Sequence, residues 1–297
     1  MLYSLLAFLF WGSADVFYKK GNFKKEKNSD LVTGIIVGLV MGIHAIIYMI
    51  IHHVNVSVIE MIQYLPVSLC YIISMVIGYK GLQFIELSLA SPVQNTSGVI
   101  TSILLLIFFK EKLPLLAYIA FVLIFVSIFY ICLLERKENK EERKVVFDVG
   151  KNRKFKILAI ILPIVYCLFD GLGTFLDAIY LDKLELIRED NALVAYELTF
   201  LAFAIVTWSY LTIKKEKVSI FHEKEKVGAA LLETAGQFFY VFAMADDSTI
   251  SASIVGSYCV LSMILSRVFL KEKLILKKYV AIGTAIVGII ILLVLEV

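Results

Sequence analysis

The chain is cut by its polar residues into apolar runs of about twenty, the length a helix needs to cross roughly 30 Å of hydrocarbon at 1.5 Å per residue. Ten runs are read as spans, at residues 2–18, 31–51, 64–81, 88–109, 115–134, 157–181, 192–212, 227–245, 249–270 and 279–295. Each is predicted helical, because lipid offers no partner to free backbone N–H and C=O groups and the runs are too long and continuous for barrel strands. A soluble domain is excluded by the same material: 60% of the 297 residues are hydrophobic and only 19% are charged. The mean hydropathy of +0.86 says the same.

Residues 1–10 carry no basic segment and no small-residue cleavage site follows them, so they read as the first span and not as a cleaved signal. The polar stretch 136–156 mixes both charge signs with little apolar content and reads as a solvated linker. It divides the chain into a first five-helix unit, 1–135, and a second, 157–297. Cys70, Cys132, Cys167 and Cys259 all fall inside apolar runs without CxxC spacing, which suggests neither a disulfide framework nor a zinc site. A formal charge of +3 is too small to argue for nucleic acid.

The distribution of charge says more than its sum. Lys and Arg are retained on the cytoplasmic side of a membrane, and the odd-numbered loops, with Lys80 at the end of the third span, hold about 24 of the 29 basic residues. Those loops, including Lys19–Lys27, 136–156, Lys214–Lys226 and Lys271–Lys278, are therefore predicted cytoplasmic, with both termini outside. The expected location is a bacterial cytoplasmic membrane.

An internal repeat is visible by eye. FFKEKLPLLAYIAFVLIFVSI, from Phe108, recurs as FLKEKLILKKYVAIGTAIVGI, from Phe269, at a constant offset of 161 residues. Lys110, Glu111, Lys112 and Leu113 coincide with Lys271, Glu272, Lys273 and Leu274; the same offset pairs Tyr118 with Tyr279, Tyr79 with Tyr240 and Glu86 with Asp247. The first helix of each unit aligns at a slightly different offset, Trp11 with Tyr166, Gly12 with Cys167 and Asp15 with Asp170. Because each copy holds an odd number of spans, the second inserts upside down relative to the first, which permits alternating access by exchange of conformation between the halves.

A five-plus-five inverted repeat, Phe10-Trp11-Gly12 in the first helix, and a small-residue fourth helix ending in Lys110-Glu111-Lys112-Leu113 together resemble the EamA type of the drug/metabolite transporter superfamily. The resemblance covers nearly the whole chain. It implies an all-α polytopic fold of ten transmembrane helices, and a carrier that imports or exports small metabolites through a cavity lined by helices 1, 3, 4, 6, 8 and 9. Many members keep their termini in the cytoplasm, unlike the arrangement the lysines predict here, and the LFWGS segment is more similar to the sugar-uptake branch. The direction of transport stays open.

An ionisable side chain inside hydrocarbon costs several kcal/mol unless it faces a cavity or a partner, so each is a functional candidate. Away from helix ends the acids are Asp15, Asp170, Asp177, Glu197 and Glu233, with His44 as a lone potential cation and no Lys or Arg. The interior thus reads as anionic. Asp15 and Asp170 are expected near mid-bilayer, where a carboxylate suits exchange of a proton for a substrate; the plainer role is pairing with hydroxyls such as Ser13 and Thr174. Asp177 is expected to look toward the outer vestibule. Glu233, Gln237 and Tyr240 fall at i, i+4 and i+7, one stripe of a helix that is otherwise apolar.

Trp11, Tyr71, Tyr79, Gln94, Asn95, Tyr166 and Tyr258 are the expected companions. Rings beside carboxylates hold an organic cation by charge and by cation–π attraction of about 1–2 kcal/mol, although many aromatics of a membrane protein serve only packing. Ser91, Ser97 and Gly98, with Ser251, Ala252, Ser253, Gly256 and Ser257, suit close helix approach. His44, His52 and His53 lack a third ligand at metal-site spacing and read as packing or interfacial residues.

The function expected is a secondary transporter of a small polar metabolite, amine-bearing or cationic, with carboxylate and proton coupling. A carrier of sugars or other neutral solutes on the same fold is the alternative. An intramembrane enzyme is remote, since GxSxG, HExxH and GxxxxGK[ST] are all lacking, and a passive channel lacks filter loops. No cofactor is expected. The partners are the substrate, protons and the bilayer; monomer and homodimer both stay open.

Overall fold

Every apolar run that falls on described residues is helical, and no strand occurs among them. The computed structural model describes residues 1–21, 28–82, 96–110, 112–149, 153–216, 220, 223–269 and 274–295. The helices are α1 (Leu2–Gly21), α2 (Ser29–His52), α3 (Val58–Leu82), α4 (Thr96–Phe109), α5 (Leu115–Val149), α6 (Arg153–Ala178), α7 (Glu189–Ile213), α8 (Lys224–Asp246), α9 (Ser248–Val255), α10 (Cys259–Phe269) and α11 (Leu276–Leu295). A π turn, Ile179–Lys183, extends α6.

Seven described segments are long and apolar enough to cross a membrane: α2, α3, α6 with its π turn, α7, α8, α9 joined to α10, and α11. This is fewer than the ten runs read from the sequence. Of the other runs, the described parts of the fourth and fifth, Thr96–Phe109 and Leu115–Ile131, are shorter apolar helices, and α1 is diluted by Ser4, Ser13, Asp15 and its terminal lysines. The stretch 136–156, read as a solvated linker, is largely helical among its described residues, with α5 running to Val149 and α6 starting at Arg153. Its Glu, Lys and Arg residues are strong helix formers, and nothing in that run stops the helix before Gly150.

Helix ends follow local chemistry. Ser57 and Glu60 form a reciprocal capping box at the start of α3, with Ser57 N donating to Glu60 Oε2 at 2.8 Å and Glu60 N to Ser57 Oγ at 3.2 Å. Two carboxylates cap α9: Asp247 Oδ1 accepts from Ile250 N at 3.0 Å, and Asp182 Oδ2 accepts from Ser248 N at 3.0 Å.

In packing, α1 lies along α8, α2 along α7, α3 along α6, α5 along α11, and α4 against α9. Counting α9 and α10 as one segment, exchange of the first five segments with the last five leaves this pattern unchanged. The α1–α8 contact becomes α6–α3, and the other three map onto themselves.

Close approach is set by glycine. Gly34, Gly38 and Gly42 make one ridge of α2 facing α7, and a Cβ on Gly38 would lie 2.2 Å from Phe200 O. At the α4–α9 crossing, a Cβ on Gly98 would lie 2.3 Å from Ala252 O and 2.8 Å from Gly256 Cα. Buried residues form two clusters. One joins α1, α2, α3, α6, α7 and α8; the other holds α5 and α11 beside α9 and α10, through Ile124, Ile128, Ala285 and Ile289. Outward faces carry exposed Ile43, Ile50, Leu168 and Val206, as lipid rather than water requires.

Candidate functional site

The helix pair α1–α8 faces the pair α3–α6 across a cavity of about 100 Å³, closed on its remaining sides by α4, α7 and the α9–α10 break. On α1 the stripe Trp11, Asp15, Tyr18 points inward; on α8 the stripe Glu233, Gln237, Tyr240 has the same i, i+4, i+7 spacing. Helix α6 brings Tyr166, Asp170 and Thr174, and α3 brings Tyr71, Met75 and Tyr79. Ser97 and Gly98 of α4, Tyr196 of α7 and Tyr258 at the break complete the wall.

Three carboxylates, seven tyrosines and one tryptophan therefore line one space, and no Lys or Arg lines it among the described residues. The carboxylates are held differently. Ser97 Oγ of α4 donates to Asp170 Oδ2 at 2.5 Å, and Ser262 Oγ of α10 donates to Asp15 Oδ2 at 2.7 Å. Both are thus oriented by a hydroxyl from the fourth segment of the opposite repeat. Thr101 and Ser262, which correspond at an offset of 161, also each reach a backbone carbonyl, Gly171 O and Gly12 O, at 3.1 Å. Glu233 has no such support: among the described residues no side chain donates to its carboxylate, while its backbone carbonyl accepts from Trp11 Nε1 at 3.2 Å.

Aromatic contacts tie the wall together. Trp11 lies against Tyr240, with ring centroids 4.9 Å apart, and edge-on to Tyr258 at 5.9 Å. Two tyrosine pairs bridge the facing helix pairs, one at each end of the cavity. Tyr79 Oη donates to Tyr18 Oη at 3.1 Å toward the end that carries Lys19 and Lys80. Tyr71 Oη and Tyr240 Oη lie 2.7 Å apart toward the end that carries Asp182 and Asp247. Tyr79 and Tyr240 are repeat equivalents, but their partners are not: Tyr18 lies on α1, and Tyr71 lies on α3 together with Tyr79.

Ten of the thirteen candidates named from sequence meet in this cavity: Trp11, Asp15, Tyr71, Tyr79, Tyr166, Asp170, Glu233, Gln237, Tyr240 and Tyr258. Gln94 and Asn95 lie outside the described residues. Glu197 does not line the cavity. It is fully buried between α7 and α2, where His44 Nδ1 lies 2.9 and 2.8 Å from its two carboxylate oxygens. This also corrects the reading of His44 as a mere packing residue: one helix turn of α2 sets it opposite the acid, and neither would be tolerated alone.

Asp177 departs from expectation as well. It is fully buried rather than turned to an outer vestibule, because Tyr64 Oη donates to its Oδ1 and Tyr71 Oη lies 3.1 Å from its Oδ2. Tyr18, Tyr196, Ser97 and Thr174 line the cavity without having been candidates. Tyr18 was findable, seven residues after Trp11 on the stripe of Asp15. Tyr196 carried no signal beyond its neighbour Glu197.

Residues 1–133 match the EamA-like transporter family. No curated protein matches the chain in sequence. Among 28 matching chains of solved structures, one crystal structure covers 99% of this chain and 96% of its own with a TM-score of 0.70 at 11% identity. At that identity the likeness speaks for the fold alone.

Proposed function

We propose that this chain, a multi-pass membrane protein whose residues 1–133 match the EamA-like transporter family, carries a small amine-bearing or cationic metabolite across the bilayer by alternating access. The observation that carries the reading is the composition of the cavity: Asp15, Asp170 and Glu233 with eight aromatic side chains and no Lys or Arg among its described lining residues. A cation entering it meets charge pairing and ring faces together, which supplies the attraction lost with its hydration. A neutral polyol finds the tyrosine hydroxyls but brings no positive charge to Glu233, to whose carboxylate no side chain donates among the described residues. The neutral-solute carrier is therefore the second reading, and an enzyme is set aside.

The same proposal takes the chain as ten spans in two inverted repeats, 1–135 and 157–297 around the connection 136–156. The exchange symmetry of the helix packing supports it. Alternating access is then a rocking of α1–α8 against α3–α6, with one bridge opening while the other holds. Asp15 and Asp170, each held by a serine hydroxyl, take protons when the substrate leaves. The lysine distribution puts both termini outside, in a bacterial cytoplasmic membrane.

The test is uptake of radiolabelled small amines into proteoliposomes under an imposed pH gradient. Wild-type protein is expected to accumulate a monoamine, with Asp15→Asn and Asp170→Asn abolishing the response to the gradient and Glu233→Gln weakening binding. Transport with unaltered pH dependence in both aspartate variants would refute the coupling role, and uptake of neutral polyols in preference to amines would favour the second reading.

A further inference from the structure

One buried polar atom in the cavity wall is unexplained by the protein's own hydrogen bonds. Gln237 is 1% exposed, and its Nε2 has no hydrogen-bond partner among the described residues. Leaving a buried N–H unsatisfied forfeits its hydration without return, so native proteins seldom keep such a group unless something else meets it. Here Gln237 is one of the residues lining the cavity, one helical turn from Glu233, whose carboxylate receives no side-chain donor among the described residues. An orphan donor and an unsupported acceptor thus stand side by side on α8.

Neither group has a counterpart in the other repeat. At an offset of 161 the positions equivalent to Glu233 and Gln237 are Ile72 and Val76. The symmetric features of the cavity, the paired Asp15 and Asp170 and the equivalent Tyr79 and Tyr240, serve both halves alike. The Glu233–Gln237 pair is an addition on one side, as recognition of an asymmetric ligand requires.

We infer that the ligand is a small monoamine that also carries a neutral oxygen acceptor about two carbons from its nitrogen, an amino-alcohol-type cation with its ammonium on Glu233 and its oxygen on Gln237 Nε2. This rests on the carrier reading above and narrows its substrate class. Spacing supports it: β-carbons at i and i+4 lie about 5–6 Å apart, a gap bridged by hydrogen bonds to atoms separated by two carbons. Size supports it too. The cavity of about 100 Å³ is smaller than the apolar cavity of about 150 Å³ that holds benzene, and so suits a ligand of roughly four or five heavy atoms by that comparison. An alkylamine or a short diamine fits the space but leaves Nε2 bare, and a carboxylate-bearing ligand brings a negative charge among three others.

Three probes of four heavy atoms each separate the possibilities: ethanolamine, propylamine and ethylene glycol, titrated into the detergent-purified full chain with thermal unfolding as readout. Ethanolamine is expected to bind more tightly than propylamine by roughly two- to tenfold, the worth of one added hydrogen bond, and ethylene glycol more weakly than either. Gln237→Met is expected to erase the ethanolamine advantage; Gln237→Leu replaces it if the methionine variant does not fold, and the wild-type series stands without either. Equal binding of the two amines, or an advantage that persists in the Gln237 variant, overturns the inference while leaving a cation carrier intact. Binding of ethylene glycol above both amines overturns the cation reading itself. If none of the three binds at millimolar concentration, the size and chemistry assigned to the ligand are wrong, and the proteoliposome assay alone decides the carrier reading.

Discussion

Gly38→Ala tests the packing argument with an internal control. A Cβ at position 38 would lie 2.2 Å from Phe200 O and 2.8 Å from Ala204 Cβ, and the first of these is backbone that cannot swing aside. Restoring an ordinary carbon–oxygen contact requires α2 and α7 to part by roughly 1 Å, at a cost of about 1–3 kcal/mol by analogy with overpacked cores. Gly34 and Gly42 lie on the same interface, against Phe203 and Leu201, so the separation cannot be confined to one residue. The control is Gly283→Ala in α11, where the new methyl meets nothing within 4 Å. Both substitutions relieve a helix-interior glycine and so share the same favourable propensity change of about 0.5–1 kcal/mol. Their difference isolates the contact. Unfolding by titration with dodecyl sulfate in mixed micelles, followed by tryptophan fluorescence, is expected to place Gly38→Ala about 1–3 kcal/mol below Gly283→Ala. Equal midpoints would show that the α2–α7 approach is not limited by Gly38.

The two tyrosine bridges are expected to respond in opposite senses. Tyr79→Phe removes the bond to Tyr18 and favours opening at the Lys80 end, whereas Tyr240→Phe removes the bond to Tyr71 and favours the other end. Each shifts the population by roughly two- to tenfold, read as the side from which an impermeant thiol reagent reaches a cysteine at Met75 in an otherwise cysteine-free chain. The same side of access in both variants would rule out a pair of opposed latches. Replacing His44 with Phe strands the buried Glu197 carboxylate and is expected to destabilise the fold by about 3 kcal/mol, with Glu197→Leu on the same background recovering much of the loss in the unfolding titration. A reporter fused after Val297 that is active only outside the cytoplasm is expected to be active; inactivity there, with activity of a cytoplasmic reporter, would overturn the orientation read from the lysines.

Much of this protein is written in one dimension. Hydropathy and run length make it helical and lipid-facing, because burial in hydrocarbon leaves the backbone no alternative to internal hydrogen bonding. The 161-residue offset already pairs Tyr79 with Tyr240, and a stripe at i, i+4 and i+7 already aligns Glu233 with Gln237, because helix periodicity is a local property. Tertiary structure decided which polar residues share a space. Glu197 and Asp15 look alike as intramembrane acids, yet one is closed off by His44 from α2 and the other faces the cavity, a difference made by partners 153 residues and 247 residues away. Asp177 is filled by Tyr64 and Tyr71 for the same reason. Whether a buried charge is paired by the protein or left for a ligand depends on which helices cross beside it, and no periodicity within one helix records that.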